Sequence, residues 1–173
     1  LWSFLSATIS RMIEVVYFDL GNVIVDFGHS RAAQELLKVT PLSLKEAMAV
    51  LSDGELVSEY ETGRLSSQEH YHKVCRRLQM EVSIEKFREL WGSMFLPEPL
   101  LSESFLQDLK KRYRLMLLSN TNEIHFDFVI QNYPILRIIE ERLLSFQAGC
   151  MKPQARIFEL AIKKAGVAPE GIF

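Results

Sequence analysis

The spacing of hydrophobic positions changes several times along the chain, and each change marks an element. Ile13 to Asp19, "IEVVYFD", is rich in valine and aromatics without alternating with polar residues. Such a run fits a strand covered on both faces in a parallel sheet, here ended by a lone carboxylate. Between Ser30 and Leu96 the spacing turns helical. The segments "SRAAQELLKV", "SLKEAMAVLSDG", "ELVSEYETG", "SSQEHYHKVCRRL" and "SIEKFRELWGSMF" follow one another with no strand among them. Several open on a serine, whose oxygen can accept from the free N–H groups of a first helical turn. Gly54 is expected to stop the second helix and Gly63 the short third one. Pro97 and Pro99 then form a stiff boundary.

Downstream, "PLLSESFLQDLKKRY" has a helical period and a basic last turn, and "RLMLLSN", Arg114 to Asn120, is a second apolar strand. "NEIHFDFVIQNY" predicts a helix, "RLLSFQ" a third strand, and "KPQARIFELAIKKAG" a helix opened by proline and closed by Gly166. This alternation predicts an α/β fold with a doubly wound, Rossmann-like parallel sheet. The helical insertion after strand one forms a small second domain, a cap over the sheet edge where the loops emerge. Residues 12–29 and 97–173 are assigned to the core and residues 30–96 to the cap.

The ends change this picture slightly. "LWSFLSATIS" is apolar but too short to span a bilayer, and it has no basic leading region or small-residue cleavage site. Met12 is read as the natural start and residues 1–11 as an upstream leader. "GVAPEGIF" reads as the approach to a further strand, so the C-terminal strands of the sheet are expected to be missing.

With 173 residues, 48% hydrophobic and 24% charged, the chain is long and apolar enough for a sizeable core. The net charge of −2 gives no broad attraction to nucleic acid or to anionic membranes, so an anionic ligand must be gripped locally. Cys75 and Cys150 are too few and too far apart for a disulfide framework or a cysteine metal cluster. Both are expected to be buried small hydrophobes in a reducing, cytoplasmic protein.

In open α/β sheets, ligands bind beyond the carboxyl ends of the strands. Asp19 lies at one such end, Ser119 and Asn120 at another, and Lys152 in the loop after the third strand. A carboxylate, a hydroxyl, an amide and an ammonium form a coherent set for phosphoryl transfer. The carboxylate attacks phosphorus while the others orient and neutralise the phosphoryl oxygens.

"FDLGNVIVDF", "LLSN" and "MKPQARIF", in this order and spacing, resemble the first three motifs of the haloacid dehalogenase superfamily. The "DLGN" wording, the position of the insertion and "YETGRLSSQEHYHKV" are similar to bacterial sugar-phosphate phosphatases related to alpha-D-glucose-1-phosphate phosphatase. The resemblance implies Asp19 as the nucleophile that forms an aspartyl-phosphate, Ser119 and Asn120 as phosphate ligands, and Lys152 as charge stabiliser. It also implies Mg²⁺ as cofactor, held by Asp19 and the Gly21 backbone carbonyl, and a small phosphorylated metabolite as substrate.

Two departures from the family pattern matter. Most phosphatases of this superfamily carry an acid–base aspartate two residues after the nucleophile, where this chain has Gly21. Losing such assistance costs about 10² to 10⁴ in rate. A substrate with an acidic leaving oxygen, such as an anomeric sugar phosphate, depends on it least. The family's fourth motif, an acidic pair, lies beyond Phe173, so this polypeptide is expected to be weak or inactive by itself. A dehalogenase attacking carbon through Asp19 and a non-catalytic phosphate-binding module are the alternatives.

Other polar residues have plainer readings. Asp26 caps a loop and Asn22 serves a tight turn. His70 and His72, two apart on a helix, point about 200° apart and are expected to be exposed. His29 is a candidate replacement for the missing acid, although a histidine beside a loop is usually incidental, and His125 has no stronger claim. Tyr60, Glu61 and Arg64, near a turn of the cap, are candidates for contact with a sugar hydroxyl. Trp91, Phe95, Phe126 and Phe128 are read as core or interface packing.

Overall fold

The computed structural model describes residues 13–173. Its strands are β1 (Val15–Phe18), β2 (Val25–Phe27), β3 (Phe95–Pro99), β4 (Arg114–Ser119) and β5 (Glu141–Leu144). Its helices are α1 (His29–Leu36), α2 (Leu44–Leu51), α3 (Gly54–Glu61), α4 (Ser67–Leu78), α5 (Ile84–Gly92), α6 (Glu103–Lys110), α7 (Glu123–Asn132), α8 (Ser145–Ala148) and α9 (Ala155–Ala165). The proposed leader, residues 1–11, lies outside the described residues.

β1, β4 and β5 form a parallel sheet in the order β1-β4-β5. β4 is central, and its side chains divide between two cores. Leu115 and Leu117 join Leu106, Phe126 and Val129, whereas Met116 and Leu118 meet Ile157, Ala161 and Ala165 of α9. Both faces are therefore covered, which is why the strand reads as an unbroken apolar run. Truncating a fully buried leucine such as Leu117 to alanine costs about 2–5 kcal/mol. On the other edge of β1, the Phe173 N–H donates to the Val15 carbonyl at 2.9 Å and the Tyr17 N–H to the Phe173 carbonyl at 2.8 Å. The expected start of a further strand is thus seen as a short parallel pairing with β1.

Helices α1 to α5 lie between β2 and β3, which pair antiparallel and close the two connections into a ribbon. This ribbon corrects the expectation of a plain proline boundary. Pro97 and Pro99 lie in β3, an edge strand of a two-stranded sheet, where missing N–H donors cost least. The insertion has its own core, centred on Leu56, Tyr60, Val74, Leu78 and Phe87, with Ile124 of α7 packed into it. Ser43, Ser66 and Ser83 cap helices as expected, the first two in reciprocal boxes with Glu46 and Glu69, whereas α1 begins at His29 with Gly28 in the cap position, so Ser30 lies inside it; Ser102 also caps α6.

Three local expectations are corrected. Gly54 opens α3 rather than closing α2, because the Asp53 carboxylate accepts from the N–H groups of Glu55 and Leu56 at 3.0 and 3.1 Å. The strand in "RLLSFQ" ends at Leu144, and Ser145 begins α8. Pro153 precedes α9 instead of opening it and follows a cis peptide bond. Cys75 and Cys150 are free and buried.

Candidate active site

The sheet brings the predicted residues to one end. Asp19 is the first residue past β1 and Ser119 the last of β4, two neighbouring parallel strands, so both stand at carboxyl ends. Lys152 arrives after β5 and α8, through a turn in which Gly149 has φ +70, a conformation that glycine enters without steric cost. Its Nζ lies 2.7 Å from Asp19 Oδ2 and donates to the Leu118 carbonyl at 3.1 Å. The other carboxylate oxygen, Asp19 Oδ1, accepts from the Leu20 N–H at 2.8 Å, which fixes the plane of the group. The carboxylate and the ammonium keep 43% and 24% of their side-chain exposure, so a ligand can reach both.

Asn120 ties the second and third loops together. Its Oδ1 accepts from the Lys152 N–H at 2.7 Å, and its Nδ2 donates to the Lys152 carbonyl at 2.8 Å. One amide hydrogen of Nδ2 is used in this clamp and the other is left for a ligand. Ser119 is 1% exposed, and its hydroxyl donates to the Asn120 carbonyl at 3.2 Å. Beneath them, the Ser145 hydroxyl bonds both the N–H and the carbonyl of Thr121, each at 2.9 Å, and locks the end of β4 to α8.

Gly21 follows Asp19 in a turn closed by the Asn22 N–H on the Val25 carbonyl at 2.8 Å, with Asn22 at φ 58. A Cβ on Gly21 would lie 2.7 Å from Phe27 Cε1, so the phenyl ring covers the place a side chain would occupy. Among the described residues the Gly21 carbonyl accepts no hydrogen bond. It and the Asp19 carboxylate are hard oxygen donors of the kind magnesium takes, and magnesium fills its remaining positions with water and ligand phosphate. The two residues therefore fit such an ion. No group of three or more His, Cys, Asp or Glu side chains gathers at a metal-like site among the described residues. Asp26 lies in the middle of β2 rather than in a loop and accepts from the Phe27 N–H at 2.8 Å, which corrects the expectation of a loop cap.

The insertion docks on α7. The Tyr60 hydroxyl accepts from the Ile124 N–H at 3.2 Å, the Ser67 hydroxyl donates to the Glu123 carboxylate, and Arg88 pairs with Asp127 at 3.3 Å. Tyr60 thereby spends its hydroxyl on structure, and Arg64 donates to Ser58 on the surface. Glu61 is half-buried, and burial raises its carboxyl pKa.

His72 is exposed, but His70 is 4% exposed and stacked on Tyr60, which corrects the expectation for it. Ser67, His70, Val74 and Leu78 occupy one face of α4 at three- and four-residue spacing, a pattern in the sequence that points to burial. Burial pushes His70 down to about 4, with Lys73 adding to the effect. His125 is likewise pushed down to about 4 by burial and then by His70. The side chain of His29 lies outside what the structure describes.

A relative from Bacteroides thetaiotaomicron, named D-ribitol-5-phosphate phosphatase, is 28% identical over 164 residues, 91% of this chain and 80% of its own length. A solved magnesium complex of a HAD family enzyme from the same organism superposes with a TM-score of 0.82 at 25% identity, over 94% of this chain and 82% of that one. A HAD-like hydrolase structure from Porphyromonas gingivalis gives 0.77 at 25% identity, over 93% and 80%. No helix among the described residues is long and apolar enough to cross a membrane. Residues 13–172 match the haloacid dehalogenase-like hydrolases, and the chain belongs to that family.

Proposed function

We propose that the protein is a magnesium-dependent phosphatase of small phosphorylated sugars or sugar alcohols, working through a phosphoryl group carried on Asp19. The observation that carries this reading is the Asp19 carboxylate 2.7 Å from the Lys152 ammonium at the strand ends, with Asn120 clamped on the Lys152 main chain. The relative named for ribitol-5-phosphate and the magnesium complex of the structural neighbour support it.

In the first step a carboxylate oxygen of Asp19 attacks phosphorus, and the bond to the organic oxygen breaks with its electron pair going to that oxygen. Lys152 offsets the growing negative charge on the phosphoryl oxygens and the spare Asn120 N–H orients them, and the Ser119 hydroxyl would join them on turning away from the Asn120 carbonyl to which it donates. In the second step water attacks the phosphorus on Asp19, releasing inorganic phosphate and regenerating the carboxylate. Asp19 and the Gly21 carbonyl would hold magnesium, which when bound supplies further charge neutralisation at the phosphoryl group.

Gly21 brings no acid to the leaving oxygen, so the departing alkoxide takes its proton from water. An anomeric sugar phosphate, with its more acidic leaving oxygen, is therefore expected to react faster per bound complex than a primary-alcohol phosphate.

The test is phosphate release by the full-length protein from ribitol 5-phosphate, glucose 1-phosphate and acetyl phosphate, with and without Mg²⁺. Magnesium-dependent release that Asp19→Asn abolishes is the expected result. Phosphate binding without turnover, or halide release from 2-haloacids without metal, would overturn it.

A further inference from the structure

Asn120 and Thr121 lie just past β4, where the ladder no longer holds them. The pairing of β4 with β5 closes with Ser119 opposite Leu144, and at the next residue β5 turns into α8, where the Ser145 carbonyl accepts from the Gly149 N–H at 3.0 Å. The Ser145 side chain makes up for the lost pairing. Its hydroxyl accepts from the Thr121 N–H and donates to the Thr121 carbonyl, both at 2.9 Å and across 24 positions of the chain. Ser145 is 0% exposed and Thr121 4%, so water does not compete for either bond. A hydroxyl is the smallest side-chain group that donates and accepts at one atom, which is what two bonds to a single residue require.

These bonds reach the crevice through one peptide unit. The Thr121 N–H and the Asn120 carbonyl belong to the same planar unit, so holding one sets the direction of the other. That carbonyl accepts from the Ser119 hydroxyl at 3.2 Å. The same unit carries the Asn120 Cα, and with it the side chain whose Oδ1 and Nδ2 clamp the Lys152 main chain at 2.7 and 2.8 Å. The next peptide is held by the second Ser145 bond, and Asn122 then opens α7 by accepting from the His125 N–H at 3.0 Å. The turn at Gly63 lies against the Phe146 carbonyl, which braces α8 from the insertion.

We infer that Ser145 is a positioning residue of the crevice, whose hydroxyl fixes the Asn120–Thr121 peptide and thereby aims the spare Asn120 N–H and places the Ser119 hydroxyl for the phosphoryl oxygens. Ser145 acts through these two neighbours, with no contact of its own with the phosphoester. The inference rests on the phosphatase reading of the crevice. Its consequence is that losing the hydroxyl weakens the grip on the phosphoryl group itself, whatever organic group that carries.

Two measurements separate its failure from that of the underlying reading. The first compares the full-length wild type with Ser145→Ala and Ser145→Cys, the cysteine filling the site but offering only a weak donor and acceptor. For both acetyl phosphate and ribitol 5-phosphate, kcat/KM is expected to fall about 10- to 100-fold, as for a displaced orienting group. The inhibition constant of inorganic phosphate is expected to rise alongside. Ser145→Ala is then repeated in an Asn120→Ala background, where its further cost is expected to shrink to within about twofold, because residues that act through one another are not additive. Equal losses in both backgrounds, or an unchanged inhibition constant for phosphate, overturn the inference while wild-type turnover leaves the phosphatase reading intact. A wild type that neither turns over nor binds phosphate overturns the reading, and the inference with it.

The second measurement uses the wild type alone and needs no turnover. Hydrogen exchange of the Thr121 N–H is followed by NMR beside that of the β4 amides. Protection equal to that of the strand supports the inference; exchange at the rate of an open loop overturns it, even if neither variant folds.

Discussion

The crevice at the strand ends and the cavity beneath the insertion treat polar groups in opposite ways. In the crevice, Asp19 and Lys152 form an ion pair at 2.7 Å with part of each side chain exposed, and their positions are set by Leu20, Leu118 and Asn120. Beside the cavity, His70 and His125 are held neutral by burial, with ring nitrogens that have no partner among the described residues. The difference teaches what each arrangement is suited to. A preorganised pair of opposite charges that ligands can reach suits action on a charged group, whereas imidazoles buried without partners make the insertion's packing sensitive to protonation.

The comparison breaks most visibly if the crevice is not the seat of chemistry. Asp19→Asn keeps the shape of the side chain and removes the nucleophile, so kcat for phosphate release from ribitol 5-phosphate is expected to fall about 10⁴-fold or more. Lys152→Met keeps much of the length and apolar stem but removes the charge, and a loss of about 10² to 10³ in kcat is expected, the range for one preorganised stabilising group. Steady-state assays of both variants at saturating Mg²⁺ make the check. A Lys152 variant within threefold of wild type would mean that the ion pair is structural.

The cavity half is sharpened by pH. The ordinary pKa of histidine is 6.5, and burial lowers His70 to about 4, so the unfolded chain takes up a proton before the folded one does. Stability from this residue is complete above pH 6.5 and is lost as pH falls toward 4, by on the order of 3 kcal/mol. His125 acts in the same direction over the same window. Urea unfolding midpoints between pH 7 and 4.5 are expected to drop for the wild type, and His70→Phe is expected to flatten part of that drop. A variant with the same pH slope as wild type would show that His70 is solvated rather than held neutral.

Much of this was legible in the chain because the signals were local. β4 is apolar at every position from Leu115 to Leu118, so its doubly covered place in the sheet was visible, and with it the strand ends where Asp19 and Ser119 stand. What the sequence did not disclose depends on partners distant along the chain. β2 and β3 are short, pair across about 70 residues, and include two prolines that argue against any strand. The clamp of Asn120 on Lys152 spans 32 positions and leaves no local trace. His70 is an intermediate case. Its spacing with Ser67, Val74 and Leu78 marks the buried face of α4, but the stack on Tyr60 and the neighbourhood of His125 are tertiary facts.

The smallest expected effect concerns a further contact between the insertion and the core, the approach of Gly63 to Phe146. Gly63 has φ +68, and a Cβ there would run into the Phe146 carbonyl oxygen, which is backbone and cannot swing aside. Gly63→Ala therefore adds strain in the left-handed region and pushes the α3–α4 turn off α8. The two terms together are expected to destabilise by about 1–3 kcal/mol. Urea unfolding at pH 7 makes the check, with a lower midpoint expected for the variant; a midpoint equal to that of the wild type would mean that the turn takes up the added methyl group without leaving α8.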